Sequence, residues 1–159
     1  MTKILRYWPV ISIYILSFVS GYVWASRLNV FYWHEYFAGF MATFLILFGA
    51  IKLKDVNGFA DRFASYDLIA KKYWWYGQLY PFIEVGLGII MLLKHSYIPD
   101  IFMVILALIG IASVYRSIIK KQRLYCACLG TAFNVPLSYV AIFENSTMLL
   151  CAVAMILTR

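Results

Sequence analysis

The sequence predicts an all-α integral membrane protein with five spanning helices. Three observations carry that prediction. Hydrophobic residues make up 64% of the 159 residues and charged residues only 13%, where a water-soluble domain carries roughly 25% charged side chains. The apolar residues fall into five long stretches, each near the ~20 residues that cross a bilayer as a helix. The basic residues concentrate on alternate connections, as they do when a polytopic chain fixes its orientation. Mean hydropathy is +0.81. Too little polar side chain remains to cover a water-facing surface, which excludes a soluble enzyme, a nucleic-acid-binding module and a disordered tail. The net charge of +7 belongs to loops at the membrane surface, and the partner it implies is a lipid bilayer. No alternating pattern marks the strands of a β-barrel.

The first stretch, Tyr7–Ser26, has no charge between Arg6 and Arg27. Lys3, Arg6, the apolar run and Val23-Trp24-Ala25 also fit a signal peptide. The run is long and its end is bulky, which favours a retained anchor. The second stretch, Tyr36–Ile51, has sixteen residues between Glu35 and Lys52. It is short, but Lys52 snorkels to the surface and Phe31-Tyr32-Trp33 extends the span. The third, Tyr73–Leu93, is interrupted only by Glu84. The fourth runs from about Tyr97 to Ile119, with Asp100 and Arg116 near its ends. The fifth, about Tyr139–Leu157, contains Glu144.

With the N-terminus inside, eleven of the fourteen basic residues fall on inside segments, and Arg27, Lys94 and Arg159 fall outside. An even number of spans, or the reverse orientation, spoils this bias. The expected location is a bacterial-type inner membrane, multi-pass, with the N-terminus cytoplasmic and the C-terminus outside. Short loops predict antiparallel neighbours in one bundle. The longest connection, Lys52 to Lys72, carries Val56, Phe59, Ala60, Phe63 and Ala70 at helical spacing. It predicts an amphipathic helix over about 56–71 on the cytoplasmic membrane surface, started by an Asp55 or Asn57 cap.

The most informative local feature is Cys126-Ala127-Cys128, which follows Lys120-Lys121-Gln122-Arg123 and precedes Leu129-Gly130. Basic neighbours favour the reactive thiolate. A Cys-x-Cys pair can close a small, easily reduced ring, or hold a soft metal such as Cu(I) through two sulfurs. Two ligands are too few for a closed zinc site. The pair also reads as two small apolar loop residues. On the predicted topology it faces the cytoplasm, where thiols stay reduced, so a stable structural disulfide is not expected. Either the pair cycles, or Gly130 to Pro136 dips back into the bundle, or the orientation differs. Cys151, alone in the fifth span, reads as a small packing residue.

Glu84 is the deepest charge. A carboxylate at that depth faces the bundle and is protonated or paired. Pro81 removes one backbone donor beside it, and Gly86 and Gly88 permit close approach of a neighbouring helix. Glu84 therefore reads either as a proton or quinone contact or as a packing hydrogen bond. Glu144 reaches the same interior or pairs with a loop basic residue. Tyr66-Asp67, in the surface helix, either caps the bundle or meets Lys71 by an i,i+4 contact. His34 and His95 fall in outside loops, where they make a poor metal site. No Ser/His/Asp set, phosphate loop or zinc-protease motif is present.

An ordered set of motifs runs through this chain. Gly49-Ala50-Ile51-Lys52-Leu53 ends a span as G-x-x-K-L. Gly58-Phe59-Ala60 and Tyr66-Asp67 follow. Tyr80-Pro81-Phe82-Ile83-Glu84-Val85-Gly86-Leu87-Gly88 gives P-x-x-E-x-x-x-G, and Cys126-Ala127-Cys128-Leu129-Gly130 comes after the next span. This order, over about residues 36–157, resembles the MauE/DoxX family of redox-associated membrane proteins, and the MauE (methylamine-utilisation) branch most. The resemblance implies a DoxX-like four-helix transmembrane bundle over residues 31–159, with residues 1–30 as an additional anchor. It implies association with maturation of a disulfide-rich partner, or with quinone-coupled thiol redox. It marks Cys126 and Cys128 as redox thiols and Pro81 and Glu84 as an intramembrane pair.

These readings give a membrane-embedded thiol–disulfide redox component acting on a redox or client protein. Cys126 and Cys128 are its thiols, Glu84 and Glu144 handle protons, and a membrane quinone is the candidate cofactor. Pro81, Lys52, Tyr66 and Asp67 take structural roles. Two alternatives remain. One is a soft-metal carrier using Cys126 and Cys128, with Met148 and Met155 assisting transit. The other is a non-catalytic assembly factor.

Overall fold

The computed structural model describes residues 8–27, 32–93, 97–120 and 137–158. The described residues form helices and no strand: α1 (Trp8–Ala25), α2 (Trp33–Leu53), α3 (Val56–Ala64), α4 (Trp74–Leu93), α5 (Tyr97–Ile119) and α6 (Leu137–Thr158). Five of them, all but the short α3, are long and apolar enough to cross a membrane. Their outer faces are apolar, as on α5, where Ile98, Ile101, Phe102, Ile105 and Leu108 are exposed. Such a band suits lipid as solvent.

Helix α2 is the centre of the bundle. It packs against α1, α4 and α6, and 56% of its span is buried inside protein, against 22% of α1. Phe40, Phe44 and Phe48 recur every four residues and so share one face. Phe40 and Phe44 stack at 5.9 Å between ring centroids, and Phe48 follows Phe44 at 4.7 Å. Small residues let the helices approach. A Cβ on Gly21 of α1 would stand 2.8 Å from the Tyr36 carbonyl, and one on Gly39 of α2 would stand 2.6 Å from Trp24 Cβ. Polar pairs pin the same contact: Thr43 Oγ1 donates to Ser20 Oγ at 2.6 Å, and Trp24 Nε1 to Glu35 Oε2 at 3.0 Å. Tyr14 of α1 meets Thr147 of α6 at 2.8 Å.

The α2–α4 crossing works the same way. A Cβ on Gly88 would meet the Ala42 carbonyl and Ile46 Cγ1, both at 2.9 Å. Of the two glycines expected to admit a neighbour, Gly88 does so and Gly86 faces open space, with nothing within 4 Å. Gly88→Leu is therefore expected to force α2 and α4 apart and to cost ~1–3 kcal/mol, read as a lower melting temperature in detergent. Gly86→Leu is the control expected to melt like the wild type.

Three expectations are corrected here. Helix α2 starts at Trp33, so His34 is a buried helical residue and not a loop residue; His95 lies outside the described residues. Helix α4 packs chiefly on α2 and only lightly on its sequence neighbour α5. The amphipathic segment is helical over Val56–Ala64 and then turns through to Lys72. Asp55 caps it, accepting from Gly58 N–H at 3.0 Å. Its apolar face is turned into the protein: Phe59, Ala60 and Phe63 are buried, and Ala60 lies against Gly77 of α4. Trp74 Nε1 donating to Asp61 and Gln78 Nε2 donating to Asn57, each at 2.8 Å, tie its polar edge to α4.

Candidate functional site: a buried lysine shared by two glutamates

Lys52 does not snorkel. It occupies the last turn of α2 with 2% of its side chain exposed. Its ammonium donates to Glu84 Oε1 at 2.6 Å, to Glu84 Oε2 at 2.8 Å and to Glu144 Oε1 at 2.9 Å. These bonds use the three donors of a lysine ammonium and join α2, α4 and α6. The rings of Phe48, Phe59 and Tyr80 surround the ammonium, with centroids 5.3–5.8 Å away. That is within the ~6 Å reach of a cation–π contact. The fold keeps Lys52 from the surface, because a paired cation inside a bundle costs less than two unpaired acids.

The cluster has an asymmetry. Both oxygens of Glu84 are bound, whereas Glu144 Oε2 and the neighbouring Asn145 Oδ1 have no partner among the described residues. One ammonium with two carboxyl groups is electrically neutral only when one carboxyl carries a proton. A cavity of about 20 Å³ opens beside them, lined by Lys52, Tyr66, Gly110, Glu144 and Asn145 among others. This is room for one water molecule and not for a quinone ring.

Tyr66 also lines a second, larger cavity of about 400 Å³, together with Ser65, Asp67, Lys71, Lys72, Arg116, Ser117 and Lys120. One tyrosine thus borders both the inner cavity and the outer cleft. Asp67 is not paired with Lys71. Its Oδ1 accepts the backbone N–H of Ile69 and of Ala70, each at 2.9 Å, and its Oδ2 accepts from Ser113 Oγ at 3.0 Å. It fastens the turn after α3 onto α5. Pro81 lies within the continuous helix α4, and its carbonyl would stand 3.1 Å from a Cβ on Gly49. It therefore lies where α2 and α4 approach closely, three residues before Lys52 and Glu84 on their helices.

Of the sequence-predicted site residues, Lys52, Glu84 and Glu144 come together, Pro81 flanks them, and Tyr66 and Asp67 border the cleft. Cys126 and Cys128, the stretch Gly130 to Pro136 and the soft-metal alternative all lie outside the described residues. Cys151 is a buried free thiol in α6, and Met148 and Met155 belong to the apolar core. Sequence reasoning allowed Glu144 to reach the interior of Glu84 but missed Lys52 as the partner they share. The available signal was a lysine ending a short apolar span in a chain with two intramembrane carboxylates.

No curated protein and no solved structure matches this chain. The family model described as methylamine utilisation protein MauE matches residues 28–158, from just past α1 to the last residue of α6. This multi-pass membrane protein belongs to the MauE family.

Proposed function

We propose that this chain is a membrane-embedded thiol–disulfide redox component that supports maturation of, or electron transfer to, a partner protein of the methylamine-utilisation type. Residues 1–30 act as an anchor and residues 31–159 as the family domain. The chain lies in a bacterial-type inner membrane with its N-terminus cytoplasmic. The supporting observation is the buried Lys52–Glu84–Glu144 cluster, bordered by Tyr66, which also lines the basic cleft at the end of α5. In sequence, that helix end leads directly to Cys126-Ala127-Cys128.

The exchange is balanced without a further reactant. A thiolate of a partner dithiol attacks one sulfur of the oxidised Cys126–Cys128 pair, their S–S bond breaks, and a mixed disulfide forms. The second partner thiolate displaces it. The partner leaves with a disulfide, and two electrons and two protons end on Cys126 and Cys128. The reverse exchange uses the same atoms. Glu84 and Glu144 take up and return protons, because their cluster changes charge without leaving its site. The cavity of about 20 Å³ beside the cluster does not fit a quinone ring.

The test is trapping. In Cys126→Ser or Cys128→Ser the remaining thiolate attacks the disulfide of an oxidised partner, as in the reverse exchange, and with no second thiol to release it a partner adduct that a reductant cleaves is expected to accumulate. An impermeant alkylating reagent is expected to reach Cys126 only from the cytoplasmic face. Full partner maturation by the double Ser variant would overturn the thiol mechanism and leave an assembly role. Metal retained by the purified wild type and lost in the double variant would instead support the soft-metal alternative.

A further inference from the structure

The cleft at the end of α5 is lined by four cations that take no part in the thiol exchange. Lys71 and Lys72 close the turn after α3, and Arg116 and Lys120 stand on the last turns of α5. All seven acidic residues of the chain are among those described. Among the described residues none of them pairs with these four cations, and Asp67, the carboxylate in the cleft wall, is held by Ile69, Ala70 and Ser113. A second observation points the same way. The Ser117 side chain is 4% exposed, lines the cleft, and its Oγ has no partner among the described residues. Four cations without acids and a buried hydroxyl without a partner describe a site for an anion with several acceptor oxygens.

The cleft's surroundings select the source of that anion. Tyr73, Trp74 and Trp75 are exposed next to Lys71 and Lys72, and Tyr115, Ile118 and Ile119 are exposed around Arg116 and Lys120. Exposed aromatics beside basic residues mark headgroup depth, and the apolar flank of α5 offers acyl chains a wall. The volume of about 400 Å³ lies within the ~300–1,000 Å³ of small-ligand pockets. We propose that this cleft binds the phosphate headgroup of an anionic phospholipid, with Lys71, Lys72, Arg116 and Lys120 around the phosphate and Ser117 donating to it.

The test uses the full chain purified in a neutral detergent and native mass spectrometry of the lipids it retains. Phosphatidylglycerol, phosphatidylcholine and inorganic phosphate are the probes. The wild type is expected to retain one phosphatidylglycerol and to discriminate against phosphatidylcholine. Arg116→Gln with Lys120→Gln, and Lys71→Gln with Lys72→Gln, are each expected to weaken retention about twenty-five-fold, since each basic residue near an anionic headgroup contributes about fivefold in affinity. Ser117→Ala is expected to weaken it less, while melting like the wild type. Arg27→Gln removes a charge at the opposite end of the bundle and is expected to change nothing. Equal retention by wild type and both double variants, or equal retention of the two lipids, would overturn the proposal. Displacement of phosphatidylglycerol by an equal concentration of inorganic phosphate would also overturn it, by assigning the cleft to a soluble anion.

Discussion

Lys52→Met is expected to lower the stability of the detergent-solubilised protein by about 3–5 kcal/mol, the cost of removing one partner from a buried ion pair. The substitution keeps most of the side chain's volume, so the loss reports charge and not packing. It leaves Glu84, fully buried, and Glu144, 4% exposed, facing each other with no cation. Three bonds of 2.6–2.9 Å disappear at once, along with the contacts to three rings. Glu144→Gln is the informative companion. It removes the surplus carboxylate, keeps an oxygen to accept from Lys52, and disturbs an Oε2 that has no partner among the described residues; it is expected to cost under about 1 kcal/mol. Combining Lys52→Met with Glu84→Gln and Glu144→Gln removes every charge of the cluster and is expected to recover most of the loss. Thermal unfolding in micelles reads all three. A Lys52→Met protein that melts like the wild type would refute the cluster.

The spans were legible because hydrophobic length is a local property. The helix over Trp74–Leu93 lies within a residue of the expected Tyr73–Leu93, and Tyr97–Ile119 matches its expected bounds. The second span was drawn short because Glu35 looked like a boundary; inside α2 it is satisfied by Trp24. Lateral partners were not legible. Glu84 and Glu144 stand 32 and 92 residues from Lys52 in sequence, so no helical period links them, and a hydropathy reading treats lysine only as an edge. The same holds for α3: spacing revealed its apolar face but not what the face covers. A helical rule pairs Asp67 with Lys71, and the backbone keeps that spacing, with Lys71 N–H donating to the Asp67 carbonyl at 3.2 Å; the Asp67 carboxylate is instead taken by Ile69, Ala70 and Ser113.

The inward face of α3 and the burial of Lys52 belong to one packing arrangement. Phe59 and Phe63 of α3, with Tyr80 of α4, lie over the cluster, with Phe63–Tyr80 centroids 4.7 Å apart and Phe59–Tyr80 centroids 6.1 Å apart. A helix whose apolar face served the lipid would leave this end of the cluster open. By turning that face inward, the chain keeps Lys52 from water and narrows the described approach to the small cavity bordered by Tyr66. The residue that sets the position of Tyr66 and of the cleft lysines is the next one along the chain.

Asp67→Ala is accordingly expected to be the second most damaging substitution, at about 3 kcal/mol. It strips the acceptor from one buried and one half-buried backbone donor and from one serine hydroxyl, each left at a cost of ~1–3 kcal/mol and not fully additive. Ser113 Oγ itself accepts from Leu68 N–H at 3.1 Å, so losing Asp67 also loosens that bond. The turn carrying Tyr66, Lys71 and Lys72 then has no fixed attachment to α5. Asp67→Asn separates charge from geometry. Its carbonyl oxygen still serves Ile69 and Ala70, while its amide meets Ser113 as a donor and forces that hydroxyl to find another acceptor; about 1 kcal/mol is expected. Melting in detergent measures both, and hydrogen exchange at Leu68, Ile69 and Ala70 localises the effect. Exchange there should rise in Asp67→Ala well before the core of α2 is exposed. Unchanged protection at those three amides would show that the turn is held by something other than the Asp67 carboxylate.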